Sequence, residues 1–211
     1  MIRAVRRRSA DAFGLSAQSR AARFTALSER TLQVRTTIVF TLTGTDRVGI
    51  VDEVTQMLLD CGGNIETSRM TRLGGEFAIL VLVSLPTERL VTLEKTIPNL
   101  IARGYQVTAV RTELKYAEDR AGWRPFQVDL RGADHEGIIH EIAHTLSGCG
   151  ITIESMDTGT GRAPNSGANL FTMTALIAVP PDLSDRGWET TLEDAAHRLD
   201  VEIRVSAVSR R

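Results

Sequence analysis

The sequence predicts an α+β protein built from two ferredoxin-like βαββαβ domains in tandem, with associated antiparallel sheets. Three observations predict it. The chain repeats itself at an offset of 88 residues: Leu42-Thr-Gly44-Thr-Asp46-Arg-Val-Gly49-Ile50-Val51 returns as Leu130-Arg-Gly132-Ala-Asp134-His-Glu-Gly137-Ile138-Ile139. Each copy alternates β-rich runs with segments of helical spacing, punctuated by glycines. At 211 residues, 42% hydrophobic and 24% charged, the chain has the length and composition of two small globular domains.

The repeat continues through Glu53 and Glu141, Val54 and Ile142, Leu58 and Leu146, Cys61 and Cys149, Gly62 and Gly150, and Ile65-Glu66 and Ile153-Glu154. Farther on, Phe77 matches Phe171 and Pro86 matches Pro180 at an offset of 94, so the second copy carries six extra residues, around Gly161 to Gly167. Matching order with a single loop insertion is the mark of a duplication.

In the first copy, residues 36–43 read as a strand and the helix runs from Gly49 to about Cys61, with Ile50, Val54, Met57 and Leu58 on one face. Gly62-Gly63 stops it. Strands follow at about 64–72 and 76–84 around Gly74-Gly75, a tight hairpin signal. A helix from Leu90 to Ala102 and a strand from Tyr105 to Glu113 complete the unit. The second copy gives a strand at 125–131, a helix from Gly137 to Cys149, strands near 151–159 and 168–178, a helix near 185–198 and a strand at 201–207. The expected division is a basic segment at 1–35, outside the folded units, domains at 36–115 and 125–208, and a linker at 116–124.

Charge is unevenly spread. Residues 1–35 hold eight Arg and two acids, so within a total of −1 the remainder carries −7, a poor surface for nucleic acid. Only Lys95 and Lys115 among the 25 basic residues are lysine, so arginine richness is chain-wide. The segment is Arg-, Ser- and Ala-rich and acid-poor, the composition of an organelle transit peptide as well as of a disordered tail. A cytoplasmic protein is the expectation, with organelle targeting through residues 1–33 as the alternative. No run of 18 apolar residues occurs, so no membrane-spanning helix is expected. Cys61 and Cys149 read as small buried apolar residues at helix ends.

The segment GTDRVGIVDEVTQMLLDCGGNIETSRMTRLGGEF resembles the ACT domain, through Asp46 and Gly49 in the first turn, Asn64-Ile65 at a strand start and Gly74-Gly75-Glu76-Phe77 in the hairpin. Two such domains with nothing catalytic attached are similar to the family of glycine cleavage system transcriptional repressors. The resemblance covers about residues 36–208. It implies a non-enzymatic, amino-acid-sensing regulator, acting through a protein partner such as a transcription activator, with glycine a possible ligand and a homo-oligomer expected. Its alternatives are a regulatory subunit of an amino-acid biosynthetic enzyme and a nucleic-acid binder using the basic arm.

The candidate ligand residues are Gly44, Asp46, Gly49, Ile50, Asn64 and Ile65. Glycines let the backbone approach a ligand. The helix start beyond Gly49 presents unpaired N–H groups to a carboxylate, and Asn64 offers a donor and acceptors. A ligand is expected between the Asp46–Gly49 turn and Asn64, across an interface with another ACT unit. The second copy has Thr152 for Asn64 and Glu136 for Val48, which weakens the case for binding there.

His140-Glu141-Ile142-Ala143-His144 matches H-E-x-x-H, the zinc-peptidase signature. The repeat aligns His140, Glu141 and His144 with Asp52, Glu53 and Gln56, the polar face of the first helix. The expectation is therefore a solvated face and no metal. No other cofactor motif is present: no P-loop, no nucleophile constellation, and no G-x-G-x-x-G before a helix.

Overall fold

A computed structural model describes residues 34–112, 120–162, 167–183 and 187–209. The basic segment up to residue 33, much of the expected linker and the middle of the second copy's insertion lie outside the described residues. The chain divides into two units, residues 1–114 and 115–211.

The first unit runs β1 (Arg35–Thr45), α1 (Ile50–Asp60), β2 (Asn64–Leu73), β3 (Glu76–Pro86), a single 3-10 turn (Thr87–Arg89), α2 (Leu90–Ile101) and β4 (Gln106–Arg111). Its sheet is antiparallel in the order β2-β3-β1-β4. The second runs β5 (Arg124–Ala133), α3 (Ile138–Gly148), β6 (Thr152–Arg162), β7 (Asn169–Val179), α4 (Gly187–Arg198) and β8 (Val201–Ala207), in the order β6-β7-β5-β8. Both are βαββαβ units, as the repeat predicts.

Two periodicities meeting on one face build each core. In the first unit Ile38, Phe40 and Leu42 alternate inward along β1 and are fully buried against Ile50, Val54 and Leu58 of α1 and Leu90, Leu93 and Leu100 of α2. In the second, Val128 and Leu130 meet Ile138, Ile142 and Leu146 of α3 and Trp188 and Leu192 of α4. The opposite face of the first sheet stays partly apolar: Leu80 is 47% and Val110 60% exposed. Cys61 is buried and Cys149 half-buried, both as free thiols; burial, the larger influence, and the Asp60 charge push the Cys61 thiol up.

Glycine decides the local geometry at two kinds of position. Gly49 and Gly137 start α1 and α3 in the left-handed region, at φ of 88° and 91°. Only glycine takes that conformation without strain. Gly74 and Gly75, at φ of 61° and 94°, form the two-residue turn between β2 and β3.

Arg35, which the sequence reading places in the basic segment, begins β1. Its guanidinium donates from Nε to the Ser84 hydroxyl (3.3 Å), and from Nη2 to that hydroxyl and to the carbonyls of Ser84 and Gly62. These contacts tie its side chain to β3 and the end of α1.

Gly44 has a packing role. A Cβ there would stand 2.5 Å from Cδ1 of Tyr105, far inside van der Waals contact. Gly132 holds the same relation to Val201. Overpacking of this kind costs about 1–3 kcal/mol, so Gly44→Ala should lower the stability of the first unit by that order. Gly44→Ala combined with Tyr105→Ala should be less destabilised than the two single changes added together. Denaturant titrations of the four proteins would check it; strict additivity would mean that the ring does not set the requirement for glycine.

Candidate functional site

The turn Thr45–Gly49 carries a cluster of polar contacts. The Asp46 N–H donates to the Gly75 carbonyl (3.1 Å), and its carboxylate lies 3.6 Å from Arg72 Nη1, so the turn is held against the β2–β3 hairpin. Arg47 donates from Nε to the Tyr105 hydroxyl (2.9 Å) and from Nη2 to Glu53, with its guanidinium 5.8 Å from the centre of the Tyr105 ring. Arg103 reaches the other oxygen of Glu53. Hydrogen bonds from Arg47, first to Glu53 and then to Tyr105, raise the guanidinium pKa further, so it remains a cation.

This cation stands beside the start of α1. Arg47 Nη1 is the nearest group to the position a Gly49 Cβ would take, at 4.0 Å. The Glu53 N–H donates to the Gly49 carbonyl (3.0 Å), closing the first turn of the helix, and the Ile50 N–H donates to the Arg47 carbonyl (3.5 Å); an α-helix leaves its first N–H groups without intrahelical partners. Ile50 is buried and Val48 fully exposed. A guanidinium and the positive end of a helix together favour a carboxylate at this surface. The sequence reading missed Arg47. The available signal was its repeat partner: position 47 and its equivalent, His135, both carry residues able to be cationic.

The six expected ligand residues do not converge within one unit. Thr45 pairs with Glu76, which ends the hairpin beside Leu73, whereas Asn64 pairs with Ser84, which pairs with Thr37. Asn64 therefore lies eight residues along β1 from the turn, roughly 25 Å away. Gly44, Asp46, Gly49 and Ile50 sit at one end of the sheet; Asn64, exposed, and Ile65, half-buried, sit at the other, next to Gly62, Ser84 and the Arg35 guanidinium. A free amino acid, under 10 Å long, cannot span them, being only about two to three residue rises of extended chain. Within one unit the turn and the asparagine therefore do not grip the two ends of one ligand, and a ligand between them needs the interface with another ACT unit that the sequence reading expects. The cause is topological: the segment from α1 to β2 returns the chain along the length of the sheet.

The second unit repeats the scaffold and changes the chemistry. Arg198 pairs with Glu141 at 2.6 Å, as Arg103 does with Glu53. His135 takes the place of Arg47, with Nδ1 3.0 Å from the Glu136 carbonyl and Nε2 2.9 Å from that of Leu199. Neutral imidazole has one N–H, so both contacts are hydrogen bonds only in the imidazolium. The contact with Leu199, then that with Glu136, raises the His135 pKa, with smaller help from Asp134 and Asp200.

The H-E-x-x-H residues are arranged unlike a peptidase centre. His140 and His144 are exposed, opposite buried Ile138, Ile142 and Leu146. The Glu141 carboxylate is engaged by Arg198, whose hydrogen bond, more than its charge, lowers the Glu141 pKa. It is therefore not poised as a general base. Among the described residues no three His, Cys, Asp or Glu side chains gather as a metal set, and no helix is long and apolar enough to cross a membrane.

Two βαββαβ units in tandem, each with one antiparallel sheet, place the chain in the ferredoxin-like α+β class. The ACT-domain family model matches residues 36–110, so the first unit is an ACT domain, and the second unit repeats its strand order. Over 68 residues it is 40% identical to the glycine cleavage system transcriptional repressors of Escherichia coli (strain K12) and Shigella flexneri, an alignment covering 32% of this chain and 36% of each relative. The match thus spans a little over a third of the length of these curated relatives. Among solved structures, a protein of unassigned function from Galdieria sulphuraria superposes with a TM-score of 0.71 at 30% identity, over 83% of this chain and all of that one. A structure provisionally assigned as a glycine cleavage system transcriptional repressor superposes at 0.61 and 21% identity, over 84% of this chain and 99% of its own, a likeness of fold.

Two predictions follow from this geometry. The folded-state pKa of His135 lies above its unfolded value of about 6.5, so its stabilising contribution is complete below that pH and lost as pH rises through the folded value. The difference in melting temperature between the parent protein and His135→Gln should be larger at pH 5.5 than at pH 8.5, measured by calorimetry; a difference independent of pH would refute the doubly donating imidazolium. Second, protein purified and dialysed without added metal should hold no stoichiometric zinc by elemental analysis. About one zinc per chain, lost in His140→Ala, would restore the metalloenzyme reading.

Proposed function

We propose that this chain is a non-enzymatic regulatory protein that senses an amino acid and signals through a protein partner. The observation that carries the reading is the Arg47 guanidinium, braced by Glu53 and Tyr105, beside the glycine-started α1. A cation beside the positive end of a helix favours a carboxylate. The curated relatives are named as glycine cleavage system transcriptional repressors, which supports transcription control as the output and glycine as a candidate ligand; a transcription activator as the kind of partner and the cytoplasm as the site of action are part of the same proposal.

Because the turn and Asn64 lie at opposite ends of one sheet, a ligand touching both needs two ACT units. The second unit offers Thr152 where the first has Asn64, so the asparagine facing a given turn comes from the first unit of another copy of the chain. The partly apolar outer face of the first sheet, with Leu80 and Val110 exposed, is consistent with self-association. The composite site then consists of Asp46, Arg47, Gly49 and Ile50 from one copy and Asn64 and Ile65 from another.

A thermal-shift screen of the amino acids identifies the ligand, since a molecule that binds only the native state raises its stability. Calorimetry then tests the site. Asn64→Ala should cost about 1–3 kcal/mol, a loss of roughly 5- to 150-fold in affinity, and Thr152→Ala much less. Gly49→Val and Asn64→Ala chains should each bind weakly, and mixing them should restore binding at a fraction of sites, because a mixed dimer holds one site with neither change. No recovery on mixing under exchange conditions would place both contacts in one copy, and unchanged affinity in Asn64→Ala would remove the asparagine from the site.

A further inference from the structure

We infer that the outer face of α3 carries a two-imidazole chelating site, His140 and His144, for a late first-row divalent ion such as Cu2+ or Ni2+. The site is separate from the amino-acid site proposed above, and its test does not depend on that reading. Side chains four apart on a helix lie on the same face, one turn apart. Here the two rings are stacked, with centres 6.0 Å apart and planes inclined by 21°. Both are exposed.

What distinguishes this pair is availability. The Nδ1 and Nε2 atoms of His135 are committed to backbone carbonyls, whereas among the described residues the ring nitrogens of His140 and His144 have no hydrogen-bond partner. An imidazole nitrogen is a borderline ligand suited to copper, nickel and zinc rather than magnesium or calcium, and affinity rises toward copper along the series. Two nitrogens from one rigid helix bind as a chelate, and water fills the remaining positions.

The chemistry also sets the limits of the site. Glu141 lies between the two histidines in sequence, but its carboxylate is paired with Arg198 at 2.6 Å, which leaves the two rings as the donors among the described residues. A structural zinc site closes with four protein ligands and a catalytic one keeps three. A two-ligand site binds reversibly and is emptied by a chelator, which is why the same geometry predicts no retained zinc.

The test is calorimetric titration of NiCl2 into the chelator-treated full-length chain in a non-coordinating buffer. One site per chain is expected, with affinity falling at least about tenfold in His140→Ala and in His144→Ala, because a chelate becomes a single ligand. His135→Gln, His197→Gln and Glu141→Gln should retain it; the last separates a two-imidazole site from a peptidase-like one. In the Cu2+-loaded protein, electron paramagnetic resonance should show coupling to two nitrogens, reduced to one in either alanine variant. Both residues are solvent-exposed, so circular dichroism of the variants should match the parent. Absence of binding in the parent, retention of full affinity in both alanine variants, or loss in Glu141→Gln would each overturn the proposal.

Discussion

The register of β1 against its neighbours governs everything else in the first unit. β1 lies inside the sheet, paired with β3 on one side and β4 on the other. Ile38, Phe40 and Leu42 are fully buried. A slip of one residue would turn all three to the open face and bring Val39, Thr41 and Thr43 under the helices. At about 1.5–3 kcal/mol for each large apolar side chain buried, that alternative is excluded. Once the register is set, the turn after Thr45 must emerge over the start of α1, and Tyr105, entering β4, must pass over Gly44. Arg47 can then reach the Tyr105 hydroxyl. The cationic turn is thus a consequence of core packing some distance from it.

The duplicated unit separates what the scaffold requires from what a site requires. Both copies keep the left-handed glycine before the helix, the inward triads, the glycine that makes room at the end of the central strand, and the ion pair of Glu53 with Arg103 and Glu141 with Arg198. They differ at the exposed positions of the turn, where Arg47 and Val48 become His135 and Glu136, and at the strand start, where Asn64 becomes Thr152. The differences fall outside the buried core of each unit. A carboxylate approaching α3 would meet Glu136, a like charge, and an imidazole already occupied by two carbonyls. Under the proposed function, divergence of this kind assigns the carboxylate chemistry to the first unit.

Much of this was legible in the sequence because the signals were local. Helix faces at 3.6 spacing, alternating strands, Gly74-Gly75 and the helix-ending glycines depend on residues a few positions apart, and the elements lie within a few residues of their expected bounds. The exposure of the H-E-x-x-H face followed from the same periodicity, through alignment with Asp52, Glu53 and Gln56. What was not legible is long-range. Nothing near Gly44 in sequence announces Tyr105, 61 positions later, so its glycine read as room for a ligand. Arg35 looked like one more basic residue of the tail, since its bond to Ser84 spans 49 positions. The separation of Asn64 from the turn appears only when strand pairing is known, because the two are close along the chain and far apart along the sheet.

That separation bears on how such a protein would transmit a signal. If turn and asparagine formed one pocket in one unit, ligand binding would stabilise that unit and change nothing else about it. When the two halves belong to different copies, the ligand binds only the associated state, and the association equilibrium shifts by the full binding term, RT ln(1 + [L]/Kd) per site. With two equivalent sites in a symmetric dimer and ligand at a hundred times Kd, that amounts to about 2.7 kcal/mol per site, roughly a hundredfold each in the dimerisation constant. A partner that recognises only the associated surface, or only the free one, then reads the concentration of the amino acid without any large rearrangement of the fold. The rigidity of the unit, with its buried triads and braced turn, is what such a mechanism requires, because a half-site that needed ordering first would spend part of the binding energy on that ordering.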